Sequence, residues 1–192
     1  MNPQNSLRVR LETFTDGVIA IAITLLAIEL PIPHIQTSDI ASGVSALVGH
    51  MPNMAAFFLS FITIAIFWVN HHQLTQKIQP GGRISRKIIW GNMLFLMFLT
   101  LIPFATNMMA ENAFHTVSVL GYGLVLFGCS VSFSIVRSFV HHTTMTALSS
   151  ARSMVGPVLY ALAIITLPII PILGYILLAI PPLFYFLPKS TW

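Results

Sequence analysis

Few side chains in this sequence can do chemistry, and most of them border long apolar runs. Asp16 stands at the start of the first run, with Thr13 and Thr15 just before it. Two roles are open for Asp16. One is a helix cap, which all three of these residues can supply. The other is a buried partner for a cation or a histidine, since ionisable groups in a membrane segment are functional candidates. Glu29 closes the same run, just before Pro31. It is either solvated or, if several copies assemble around an axis, part of a carboxylate ring that concentrates cations at an outer mouth. Histidines occur in two adjacent pairs, His71-His72 and His141-His142. Neighbours on a helix diverge by about 100°, so such a pair is a poor chelate for one metal ion. Each pair lies near a helix end, where histidine suits the dipole, and histidine titrates near neutral pH; a pH effect is the hypothesis they carry. Gly121-Tyr122-Gly123 has the composition of a carbonyl ion filter but lies inside an apolar run, behind Leu120. Close helix packing, or an interfacial place for Tyr122, is the better reading. No Gly-x-Ser-x-Gly or His-Glu-x-x-His spacing occurs, so hydrolytic chemistry has no motif, and the chain is not read as an enzyme. Cys129 is the single cysteine, which excludes an internal disulfide and a cysteine zinc site.

The elements that carry these residues are membrane spans. Of 192 residues, 56% are hydrophobic and 7% charged, against roughly 25% charged in a soluble domain. Nine basic and five acidic residues cannot cover a soluble surface. A soluble enzyme, a disordered regulator and a nucleic-acid module are excluded. The net charge of +4 comes from basic residues scattered along the chain, not from a basic face. A spanning helix needs about 20 mostly apolar residues. Four such runs are Phe14–Ile32, Met54–Val69, Ile88–Met109 and Phe114–Val140, and the second has a fairly apolar lead-in at Ile40–Val48. The last run, Met154–Leu187, is interrupted by Pro168-Ile-Ile-Pro171. Proline ends or kinks a helix, so a tight hairpin of two short helices is expected, with one long kinked span as the other possibility. The fold class is an all-α integral membrane protein of six helices in a single domain, residues 1–192, with no internal repeat. The polar N-terminal stretch has no cleavage site before the first span and is not read as a signal peptide. In a six-span layout Arg8, Arg10, Lys77, Arg83, Arg86, Lys87, Arg137, Arg152 and Lys189 all fall on one side. Basic loops stay inside, so both termini are expected in the cytoplasm. Trp68 and Trp90 flank the basic second loop, where an aromatic belt is expected.

Along the first span, Arg10, Phe14, Gly17, Ile21, Thr24 and Ile28 form one narrow stripe at about 100° per residue. Ala20 and Ala27 flank it on one side and Leu25 on the other. Small residues permit close helix approach. The stripe suits a narrow axis between copies of the helix. It equally suits lipid or a neighbouring helix of the same chain.

Arg10-x-x-x-Phe14-Thr15-Asp16-Gly17, followed by Ile-Ala-Ile-Thr-Leu-Leu, resembles the Arg-x-x-x-Phe-Ser-Asp signature of the endosomal/lysosomal potassium channel family (transmembrane protein 175), in its short prokaryotic branch. Trp68-Val69-Asn70-His71-His72 looks like that family's Trp-x-x-His-His, and Trp90-Gly91-Asn92 with Leu101-Ile102-Pro103-Phe104 is also similar. The likeness covers the first three spans; the last three match only in length and hydrophobicity. Thr15 replaces the usual serine and keeps the hydroxyl. The resemblance implies a homotetramer of six-helix subunits in a prokaryotic cell membrane. It implies a potassium-preferring cation channel without a re-entrant carbonyl filter and without cofactor, resident metal or nucleic-acid partner. The first helix of each subunit would line the pore, with Ile21 as the constriction and Thr24 as the selectivity layer. Leu25 and Ile28 would be further pore-lining positions and Glu29 the outer mouth. Arg10, Thr15, Asp16, Trp68, His71 and His72 would form a polar network within each subunit, holding the pore helix. A secondary transporter is the alternative, although such proteins show internal repeats and interrupted helices at the midplane.

Overall fold

The computed structural model describes residues 3–33, 39–78, 84–112, 115–140 and 147–186, with side chains through 7–33, 39–78, 84–112, 115–140 and 154–182. Arg83, His141, His142 and Lys189, and the side chain of Arg152, lie outside the described residues. The described chain is all-α. Its helices are α1 (Pro3–Ile28), α2 (Ile40–Gly49), α3 (Met51–Gln76), α4 (Arg86–Thr100), α5 (Ile102–Glu111), α6 (Thr116–Val140), α7 (Ala147–Thr166) and α8 (Pro171–Phe186).

Local chemistry explains the boundaries. Asp39 sits in extended backbone before α2, and its carboxylate accepts from the amide of Ser42 at 3.2 Å. Ser85 does the same for α4, accepting from the Ile88 amide at 3.4 Å. Such caps satisfy amides that the first helical turn leaves free. The apolar lead-in at Ile40–Val48 forms a separate helix, because Pro52 begins a new first turn just after His50. Proline suits that position, where its missing N–H costs nothing. The same device divides the third apolar run. Pro103 has no amide to offer Leu99, and the helix breaks at Leu101 into α4 and α5. That break is absent from the sequence reading, which took Ile88–Met109 as one run. In the last run α7 ends at Thr166 and α8 begins at Pro171. The expected hairpin forms there, its turn closed by the amide of Ile170 donating to the Thr166 carbonyl at 2.7 Å.

Four stretches are long and apolar enough to cross a membrane: Leu7–Ile28, Met51–Gln76, Arg86–Glu111 and Thr116–Val140. Met154–Thr166 and Pro171–Pro182 are shorter apolar helices. Helix α1 packs on α3, α4 and α5, whereas α7 and α8 pack on α6 and α8 also reaches α3. Thus α1 lies at one edge of the subunit and the α7–α8 hairpin at the other. The core between them centres on Phe67, Phe95 and Phe133, whose rings pair at 5.3–6.0 Å in tilted and edge-on arrangements, the geometry that aromatic quadrupoles favour. Close approach of α4 and α6 depends on Gly128, where a Cβ would overlap the Phe98 ring.

Candidate functional site

The two faces of α1 are treated very differently. Leu11, Thr15, Ile19, Ala22 and Leu26 are buried against the rest of the subunit, Thr15 completely. Their spacing of three and four residues is that of one helical face. Roughly 140° around the helix at 100° per residue lies the stripe Phe14, Gly17, Ile21, Thr24 and Ile28, all exposed. Ile21 keeps 61% and Ile28 74% of its accessible surface, and Leu25 on the flank keeps 38%. The hydroxyl of Thr24 donates to the Ile21 carbonyl at 2.9 Å. Its oxygen lone pairs therefore remain available on the exposed stripe.

The buried face is anchored by polar groups. The side-chain amide of Asn92 in α4 donates to the Thr15 hydroxyl at 2.8 Å. Its carbonyl oxygen lies 2.9 Å from Nε2 of His71 in α3. That oxygen only accepts, so His71 donates from Nε2. The His71 ring also lies parallel to Phe95, centroids 6.1 Å apart. Thr15, His71 and Asn92 are all buried, and the chain of bonds leaves none of the three side chains without a partner. A second, more exposed pairing runs alongside: the Trp68 indole N–H donates to Asp16 Oδ1 at 3.0 Å. Trp68 stacks on His72, whose Nε2 lies 2.8 Å from the Gln76 amide.

Of the six network residues expected, five thus meet in two clusters, Thr15 with His71 and Asp16 with Trp68 and His72. Arg10 is exposed and, among the described residues, forms no ion pair with Asp16. The ionic tie at this end uses Arg8 instead, which pairs with Glu12 at 3.0 Å and donates to the Ile78 carbonyl at 2.9 Å, joining α1 to the end of α3. The i,i+4 spacing of Arg8 and Glu12 is a readable sequence signal. Asn92, the hub of the buried cluster, is the residue missed as a site. Its signal is an amide inside the apolar run Ile88–Met109, which needs partners when buried.

Glu29 is half-buried. Its Oε2 is buried without a hydrogen-bond partner, and the residue lines a cavity of about 10 Å³ between α1, α3 and α5, together with Asn53, Thr106 and Asn107. That is space for about one water. Gly121-Tyr122-Gly123 lies within α6. Tyr122 is fully buried rather than interfacial, its hydroxyl 3.0 Å from Ser60 Oγ, which in turn accepts from Thr106 at 2.7 Å. Among the described residues no three His, Cys, Asp or Glu side chains gather as a metal site would require.

Residues 10–103, which carry both polar clusters and the exposed stripe, match the family described as endosomal/lysosomal potassium channel TMEM175. A protein of Chamaesiphon minutus named as a potassium channel is 38% identical over 113 residues, covering 59% of this chain and 54% of that protein. Another so named from a Chryseobacterium species is 33% identical over 131 residues, covering 68% and 64%. The match spans less than two thirds of either relative. The crystal structure of a lysosomal potassium-selective channel TMEM175 homolog from Chamaesiphon minutus superposes with a TM-score of 0.82 at 28% identity, covering 94% of this chain and 96% of that one. With its multiple apolar helices, this is a multi-pass membrane protein, similar over residues 10–103 to the TMEM175 family and in fold to its Chamaesiphon homolog.

Proposed function

We propose that the chain is one subunit of a homotetrameric, potassium-preferring cation channel whose pore is lined by α1. The observation that carries this reading is the division of α1 into a face anchored by buried hydrogen bonds and an opposite face left uncovered. A helix bracketed so firmly on one side, with an apolar and hydroxyl stripe on the other, suits a close axis shared by identical copies. The names of the relatives as potassium channels support the permeant ion. The subunit is a single domain of six membrane spans with cytoplasmic termini, as the one-sided basic residues favour, in a prokaryotic cell membrane. It acts on potassium ions by passage and is not an enzyme.

Each position has a physical task. Ile21 forms a ring narrow and apolar enough to exclude a hydrated ion, a gate by dewetting. Thr24 lies about one turn further along and presents hydroxyl oxygens whose protons are already committed to the Ile21 carbonyls. They can replace part of the hydration shell of a potassium ion. Leu25 and Ile28 extend the apolar lining. Glu29 raises the local cation concentration near the outer end when ionised. A hydroxyl ring discriminates less strongly than a stack of backbone carbonyls, so other monovalent cations pass as well.

Reversal potentials under opposed potassium and sodium gradients test the reading. The wild type is expected to reverse towards the potassium equilibrium potential. Thr24→Val keeps the shape and removes the oxygen. With about 0.5–1.5 kcal/mol for such a polar interaction, the potassium-to-sodium ratio should fall roughly two- to tenfold. An unchanged ratio in Thr24→Val would remove the threonine from selectivity.

A further inference from the structure

On the side of the subunit away from α1, a recess opens among α3, α6, α7 and α8. Its cavity volume is about 40 Å³. Phe67, Phe133 and Pro181 supply apolar wall, and Asn70, Ser134 and Arg137 supply polar wall. Among the described lining residues Arg137 is the single ionisable cation, and none is a carboxylate. Arg137 belongs to the last turn of α6, and Asn70 lies in the second half of α3, towards the end that leads into Lys77. The recess is therefore set at the basic ends of the helices. The Asn70 amide donates to the Ile66 carbonyl at 2.8 Å and the Ser134 hydroxyl to the Ser130 carbonyl at 2.8 Å, so each ties part of its hydrogen-bonding capacity to its own helix.

We propose that this recess binds an anionic phospholipid, its phosphate at Arg137 and one acyl chain along Phe67, Phe133 and Pro181. Charge selects the headgroup. A guanidinium matches phosphate geometry with two parallel hydrogen bonds, and a cation in a half-buried wall, with no carboxylate among the described lining residues, favours an anion. Position selects a lipid over a free ion. The recess lies between membrane helices, at the side where basic loops meet the anionic leaflet, and its apolar depth suits hydrocarbon. The proposal rests on the membrane setting of the chain and not on the assignment of the pore.

Native mass spectrometry of the full chain, delipidated in detergent, tests it with phosphatidylglycerol, phosphatidylcholine and inorganic phosphate in parallel. Phosphatidylglycerol is expected to bind more tightly than phosphatidylcholine. Arg137→Gln should weaken phosphatidylglycerol about fivefold, the share of one basic residue near a lipid phosphate, and leave phosphatidylcholine unchanged. Lys87→Gln, at an exposed site on α4, should leave both unchanged. Ser134→Leu fills the recess, keeps Arg137 and should also weaken phosphatidylglycerol, which preserves the test if the arginine variant does not fold. Equal binding of the two lipids, wild-type binding in a folded Arg137→Gln or Ser134→Leu protein, or full displacement of the lipid by matched inorganic phosphate would each overturn the proposal.

Discussion

Ile21→Asn is expected to raise resting potassium flux at least about tenfold in reconstituted vesicles. A closed apolar constriction resists ions because water does not fill it, and an amide at the same height lets water stay. A tenfold rise corresponds to about 1.4 kcal/mol of barrier. Shared over the four subunits of the proposed tetramer, that is roughly 0.35 kcal/mol each, small beside the roughly 1.5–3 kcal/mol that separates a buried isoleucine side chain from a wetted one. The folded subunit tolerates the change, since Ile21 keeps 61% of its surface exposed and contributes little to the core. Flux equal to wild type, from protein of normal thermal stability, would take Ile21 out of the gate.

Asn92→Leu is expected to destabilise the subunit by about 2–5 kcal/mol, seen as a marked fall in thermal midpoint in detergent. The leucine fits the volume but strands two buried partners. Thr15 loses the donor to its hydroxyl and His71 loses the acceptor at Nε2. A buried polar group without a partner costs about 1–3 kcal/mol, and an apolar membrane interior offers no water to repair it. Thr15→Ser, which keeps the hydroxyl, should change little, and Thr15→Val should fall between the two. A midpoint for Asn92→Leu within a degree of wild type would show that the cluster does not hold α1.

These two residues also mark how far the sequence alone could be read. The exposed stripe was legible because the helical period is strict: Phe14, Ile21, Thr24 and Ile28 share a face whatever packs nearby. The hairpin at Pro168-Ile-Ile-Pro171 was legible because proline acts locally. Pro103 carried the same local signal, yet unbroken hydropathy on both sides hid the division of α4 from α5. Asn92 was hard to assign because its partners lie 77 and 21 positions away in the chain, and no local pattern joins them. Arg8 and Arg10 differ by two positions and so by about 160° around the helix at 100° per residue; only the packing of α1 on α3 decides that Arg8 reaches the Ile78 carbonyl. The burial of Glu29 Oε2 likewise depends on the residues of α3 and α5 packed beside it.

Thiol modification of Thr24→Cys tests most directly whether α1 lines the conduction path. The chain's single cysteine, Cys129, is fully buried, so the wild type is a clean background. A charged methanethiosulfonate reagent, applied from each side of a planar bilayer, should progressively abolish potassium current in Thr24→Cys and leave the wild-type current intact. Complete modification of Thr24→Cys, verified by mass, with undiminished current would place the pore elsewhere and contradict the assignment of α1.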